Sequence, residues 1–153
     1  MPIVVHSSIF LVNEHEEVLL VREGKEKVYG LLNLPGGKME HGEQVVEAAI
    51  REAQEETGLK VSPSHVIGVY TSANAENDYV HFVFLARTFS GDIHIADTKI
   101  LEAIWLPIAQ LQTMGEKEVL NAHKVQKICT DYAKGQLPTL DFITNTSIRP
   151  LPK

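Results

Sequence analysis

Between residues 40 and 56 the chain carries six glutamates, Glu40, Glu43, Glu47, Glu52, Glu55 and Glu56, with Arg51 set among them. On a helix of 3.6 residues per turn, positions 52, 55 and 56 lie within about 100° of one another. Like charges three and four residues apart repel and weaken the helix that bears them. Such a cluster needs something to neutralise it. Hard divalent cations take oxygen ligands and commonly sit on a few carboxylates plus substrate phosphates. The residue types and spacing therefore suggest a Mg²⁺ site, with Mn²⁺ able to substitute, acting on a phosphate-bearing small molecule.

Written as a pattern, residues 37–59 are Gly37, five residues, Glu43, seven residues, then Arg51-Glu52-Ala53-Gln54-Glu55-Glu56-Thr57-Gly58-Leu59. This resembles the Nudix box, the signature of hydrolases that act on nucleoside diphosphates linked to another moiety. Every fixed polar or glycine position is filled. The one departure is Ala53, where the pattern usually carries a larger aliphatic residue; that bears on packing and not on chemistry. The resemblance implies an α/β/α sandwich with a mixed sheet. It also implies that Glu52 and Glu56 are principal metal ligands, that Glu55 assists directly or through water, and that the Gly36 carbonyl joins them. Arg51 and Glu43 are implied as orienting residues at the catalytic centre, since a planar guanidinium suits bidentate pairing with a carboxylate. Glu47, four residues before Arg51, is an alternative partner.

The implied reaction is attack of a metal-activated water on phosphorus, with the cation neutralising the bridging and leaving oxygens. Positioning and charge neutralisation carry most of such chemistry, so no covalent nucleophile is needed. Glu52 is one candidate for the group that takes the proton from water. Asp97 and Glu102 are the later acids that could do so instead.

Outside the box, Asn33 before Leu34-Pro35 and residues 131–138 resemble a branch of small Nudix phosphatases acting on nucleoside di- and triphosphates and on thiamine-pathway pyrophosphates. Leu32 stands where those relatives carry a tryptophan. Arg22, Lys38 and Asn33 are the candidate substrate contacts, and Tyr70, Tyr79 and Phe82 are either base-stacking rings or core. The seven histidines show no metal-ligand spacing and read as structural or solvated. Two other readings accompany the fold: a module that binds a nucleotide metabolite without cleaving it, and an isopentenyl-diphosphate isomerase. The first typically has an eroded box and extra domains, and the second needs further cysteine and glutamate chemistry.

The elements that must position these residues are readable from pattern. Residues 3–12 and 18–21 read as strands joined by a polar turn. Residues 24–42 read as a loop that delivers the box, in which Gly36 and Gly37 can take angles closed to other residues and let the main chain approach a ligand. Residues 43–57 read as a helix with an apolar stripe of Val46, Ala49, Ile50 and Ala53, stopped at Gly58. Strands are expected at 66–70, 79–86 and 101–106, a short helix at 107–111, a longer one at 116–134 and a last strand at 139–143. Cys129 falls on the apolar stripe of the late helix and reads as a small buried hydrophobe.

The 153 residues fit one domain, 1–153, of mixed α/β class. A net charge of −6 argues against stable nucleic-acid or acidic-membrane binding. A lone cysteine, no leader pattern and no long apolar run lead to the expectation of a cytoplasmic protein; a homodimer stays open.

Overall fold

The computed structural model describes residues 2–147. β-Branched and aromatic residues build seven strands, β1 (Ile3–Leu11), β2 (Glu17–Glu23), β3 (Leu32–Asn33), β4 (Gly36–Lys38), β5 (Lys60–Ala73), β6 (Asp78–Ser90) and β7 (Ile100–Pro107). Three helices accompany them: α1 (Val45–Thr57), α2 (Ile108–Leu111) and α3 (Ala122–Ala133). One sheet runs β4-β1-β6-β5 and a second β3-β2-β7. The first is mixed: β1 lies parallel to β6, from Ile3 opposite Asp78 to Leu11 opposite Ala86, and antiparallel to β4.

Side chains on a strand alternate between faces, and here the alternation splits the core in two. Ile9, Leu11, Leu19 and Phe84 pack with Ala49 and Ala53 of α1. Phe10, Val12, Leu20, Val83 and Leu85 pack with Val125, Ile128 and Cys129 of α3. The sheet thus sits between two helices, an α/β/α sandwich with a mixed sheet, as the box resemblance implies.

The box helix starts two residues later than its pattern suggests, because Gln44 is still extended. It ends where expected, at Gly58, whose φ of 81° is open to glycine and strained for other residues. Its core-facing residues are small: Ala48, Ala49 and Ala53 are buried, with Val45, Val46 and Ile50 packed beside them.

Four expectations need correction. Residues 24–42 are not all loop: they include a 3₁₀ turn at Glu26–Val28 and the short strands β3 and β4. The late helix begins only at Ala122. Residues before it pair their backbone with β3, Leu32 N–H donating to Glu118 O and Leu120 N–H to Leu32 O. Asn121, at φ 52°, turns the chain into the helix. Residues 139–143 form a 3₁₀ turn, Leu140–Phe142, with a single bridge from Thr139 to His65 in place of a strand. Finally, β5 and β6 run well beyond the expected limits, β5 absorbing Pro63 through a register shift.

Candidate functional site

The site grows from one arginine. Arg51 leaves α1 half a turn before the acidic end and spends its whole guanidinium fork. Nε donates to Glu43 Oε2 at 2.8 Å and Nη2 to Glu43 Oε1 at 3.0 Å, a bidentate pair. Nη2 also donates to the Lys38 carbonyl at 3.1 Å, and Nη1 to Glu52 Oε1 at 3.1 Å and Glu55 Oε1 at 3.3 Å. Glu47 takes no part in this network, so the helix-neighbour alternative is not used. Glu43 stands just before the helix, where it also accepts the Glu40 N–H at 2.8 Å. The guanidinium hydrogen bonds hold its carboxyl below the usual range, and the surrounding acids raise the Arg51 pKa in turn.

On the inner side of the same helix, Glu56 is 6% exposed. It accepts the Gly36 N–H at 2.8 Å. Burial pushes its carboxyl up to about 8, against the lowering effect of that N–H, and the neighbouring charges of Glu52, Glu23 and Asp97 add to the rise. Glu52 is also raised, first by burial, although Arg51 pulls the other way. Glu55 is half exposed.

The glycines before the box serve space and not unusual backbone angles. Gly36 and Gly37 sit in β4 and neither has positive φ. A side-chain carbon at Gly37 would come within 2.5 Å of the Glu52 carboxylate carbon, and one at Gly36 within 2.5 Å of the Ser7 carbonyl oxygen. At Gly36 the clash is with the β1 backbone, so glycine is required for β4 to lie against β1; at Gly37 a side chain would displace the Glu52 carboxylate.

The remaining candidates separate. Asp97 belongs to this site: its N–H donates to the Glu55 carbonyl at 3.2 Å, and its charge is felt by both Glu52 and Glu56. Glu102 does not, because it pairs across β2 and β7 with Arg22 at 2.9 Å. Arg22 in turn donates to the Gly30 carbonyl, so both are held in the second sheet. The Lys38 backbone is tied to Arg51, while its side chain is exposed. Asn33 Nδ2 donates to Glu23 Oε1 at 3.2 Å. Of the three rings, Tyr70 is held by Asp131 and Phe82 stacks on Phe84, so both are structural. Tyr79 lies beside His6, ring centroids 5.5 Å apart.

Glu23 escaped the reading of the sequence. It is 4% exposed, and its Oε2 has no partner among the described residues. A glutamate ending an otherwise apolar strand, Val18-Leu19-Leu20-Val21, was the available signal.

A family model for the NUDIX domain matches residues 2–126. The chain belongs to the NUDIX family. It is 40% identical to the human 8-oxo-dGDP phosphatase NUDT18 over 69% of its own length and 32% of the relative's. It is 32% identical to the ADP-ribose pyrophosphatase of Methanocaldococcus jannaschii over 57% of this chain and 53% of that one. Its aligned part spans about a third of the length of the NUDT18 proteins it resembles. Among solved structures, a NUDIX hydrolase from Nitrosomonas europaea superposes with a TM-score of 0.77 at 26% identity, covering 95% of this chain and 97% of that one.

Members of the NUDIX family generally use a divalent metal. The donor set here has the matching chemistry: hard oxygens, net negative charge, and two carboxyls, the buried Glu56 and the partly buried Glu52, whose pKa values are raised where a cation would lower them. The carboxylates do not converge as they stand. Among the described residues no three acids or histidines are grouped closely enough to share one ion, since Glu52 and Glu55 lean on Arg51 and Glu56 on Gly36. No helix among the described residues is long and apolar enough to cross a membrane.

Proposed function

We propose that this chain is a Mg²⁺-dependent hydrolase, with Mn²⁺ able to substitute, that cleaves a phosphoanhydride bond in a nucleoside di- or triphosphate or a related nucleotide or cofactor diphosphate. The observation that carries the reading is the buried Glu56 carboxylate, bound to the Gly36 N–H and flanked by Glu52 and Asp97, with Arg51 holding the outer acids in place. The named activities of the human and archaeal relatives, on 8-oxo-dGDP and ADP-ribose, support a nucleotide diphosphate as the substrate class.

Glu52, Glu55, Glu56 and the Gly36 carbonyl would hold the cation, which supplies neutralisation of phosphate charge and a more acidic water. The chain's own residues do the rest. Arg51 and Glu43 fix the approach of β4 to α1, which sets the Gly36 backbone against Glu56. Glu52 or Asp97 accepts the proton as a water oxygen bonds to phosphorus and the anhydride P–O bond breaks, the leaving phosphate taking the electron pair. Lys38, just past the glycines on β4, is placed to meet a phosphate oxygen. Arg22, held by Glu102 and the Gly30 carbonyl, is a weaker support for substrate binding than it was from sequence; Asn33 remains beside the acids through Glu23.

The test is a panel of nucleoside di- and triphosphates, ADP-ribose and cofactor diphosphates in Mg²⁺, with phosphate release read with and without added pyrophosphatase. Turnover of at least one compound, abolished by chelator, is the expected result. Tight binding of an intact diphosphate with no product in Mg²⁺ or Mn²⁺ would replace the hydrolase with a binding module.

A further inference from the structure

The order β4-β1-β6-β5 puts β5 at one edge of the larger sheet and β4, which carries the Gly36 contact to Glu56, at the other. The bonding of β6 shows which backbone groups of β5 point off that edge. Asp78 N–H donates to the Pro2 carbonyl and the Ala86 carbonyl accepts the Val12 N–H, so the even-numbered residues of β6 turn their backbone toward β1. In an antiparallel ladder the residues directly opposite turn theirs the other way. On β5 these are Val66, Val69, Thr71 and Ala73, opposite Phe84, Phe82, Val80 and Asp78.

The two halves of β5 treat this edge differently. Edge strands are normally blunted by charge, proline, bulges or a covering segment. The first half has all four. Lys60 opens it, Pro63 follows, and the register shifts repeatedly between Ser62 and Gly68. Residues 138–139 then cover it, the Pro138 carbonyl accepting the outward Val66 N–H and Thr139 bridging to His65. The second half has none of these. From Val69 to Ala73 the register with β6 is regular and every residue is uncharged. The outward N–H and C=O groups there meet no backbone partner among the described residues. Val69 is 47% exposed, and Thr71 and Ala73 are exposed beside it.

The open window is symmetric. It starts at Gly68, after the last register shift, and ends at Asn74, whose N–H closes the turn onto the Asn77 carbonyl. Thr71 stands midway and is itself an outward residue. We propose that this half-strand is a homodimer interface, in which two copies of the chain pair antiparallel about a two-fold axis through Thr71 and join their larger sheets edge to edge. The register sets Thr71 against Thr71, Val69 against Ala73 and Tyr70 against Ser72 of the second copy. About six backbone hydrogen bonds form. No charges oppose one another, and threonines pair favourably across strands. A window open to equal length on both sides of an outward residue is what self-pairing needs and a foreign strand does not. Two-fold pairing also closes, so it uses up the edge without building a fibre. With β4 at the opposite edge, the Gly36–Glu56 contact stays clear of the joint.

The window is short, so the dimer is weak. Sedimentation of the full chain should show a monomer–dimer equilibrium with Kd on the order of 100 μM. Thr71→Pro removes an outward N–H that β6 does not use, a change edge strands tolerate, and Val69→Lys places a charge on the edge. Each should weaken association at least about tenfold. Their melting temperatures, read where the unmodified chain is monomeric, should stay within about 5 °C of it. In a Cys129→Ala background, Thr71→Cys should cross-link to its own copy with a short bis-maleimide, whereas Lys60→Cys, at the covered end of the strand, should not. A chain that stays monomeric at millimolar concentration, a dimer that survives both edge variants, or cross-linking as ready at Lys60→Cys as at Thr71→Cys would overturn the proposal.

Discussion

Helix α1 turns Ala48, Ala49 and Ala53 to the core, whereas α3, of nearly equal length, turns Val125, Ile128 and Cys129 to it. The distance at which a helix packs depends on the side chains at the contact. Alanines let the α1 backbone settle close to the sheet, close enough for Glu56 to reach the Gly36 N–H and be buried with it. On α3, branched and sulfur side chains fill the space against the sheet with ordinary apolar packing. One helix gives up packing volume to place a charge; the other serves stability, with the partly buried Lys124 at its first turn. Chemistry concentrates where the core is built of small residues.

The sharpest break in that contrast is Glu56→Gln. Losing a charge that would hold the cation should lower turnover at least about a hundredfold, while Cys129→Ala in α3 should leave kcat within about twofold under the same Mg²⁺-saturated assay. A Glu56→Gln variant with near-normal turnover would remove that residue from the metal site.

Acid titration sets the two faces against each other. Without metal, Glu56 titrates at about 8 when folded against an ordinary 4.5, so the folded state holds the extra proton and stability falls as pH rises through that interval. His81 titrates at about 3 when folded against 6.5, so the unfolded state holds the extra proton and stability rises with pH. From pH 4.5 to 6.5 the two contributions cancel. In Glu56→Gln the contribution of His81 is no longer opposed by Glu56, and between pH 6.5 and about 3 it should lower stability by up to about 1.4 kcal/mol for each pH unit lowered. In His81→Gln it should climb as pH is lowered. Urea midpoints in chelator check both; parallel curves in the two variants would contradict the opposed shifts.

Ala53→Leu tests how tightly α1 sits. Ala53 is 1% exposed among Ile9, Leu11, Leu19 and Phe84, so the added volume should cost about 1–3 kcal/mol through overpacking. A higher melting temperature would show the site underfilled. Smallest is Tyr70→Phe, which removes the 2.8 Å hydrogen bond from β5 to Asp131 of α3. It should cost about 1 kcal/mol and leave turnover unchanged.

The same contrast explains what could be read in advance. Around α1 the identities of the residues are dictated by charge and space, so Gly37, Glu43, Arg51 and Glu56 stand at recognisable spacing and the helix follows from Val46, Ala49, Ile50 and Ala53. Near α3 the determinants are long-range. Residues 116–121 have ordinary helical composition, yet their backbone is taken by Leu32, more than eighty positions earlier. Thr139, Leu140 and Ile143 look like strand residues but have one bridge and no extended partner. The histidines read as structural or solvated because nothing in the sequence joins Ser8 to His81, 73 residues away. Arg22 looked free for a phosphate until β7 brought Glu102 beside it.

The parallel pairing of β1 also sets an order of events during synthesis. Each residue of β1 pairs with one 75 positions later in β6, while its β4 partners are only 28–32 positions away. Closing the longer loop costs more chain entropy and slows folding. A nascent chain therefore carries the complete box, and an apolar strand rich in Ile9, Phe10 and Leu11 with one open edge, well before residue 86 has been made. Until then that edge is a template for pairing with other chains, and a product cut short at this stage would be prone to aggregate with every glutamate of residues 40–56 already in place.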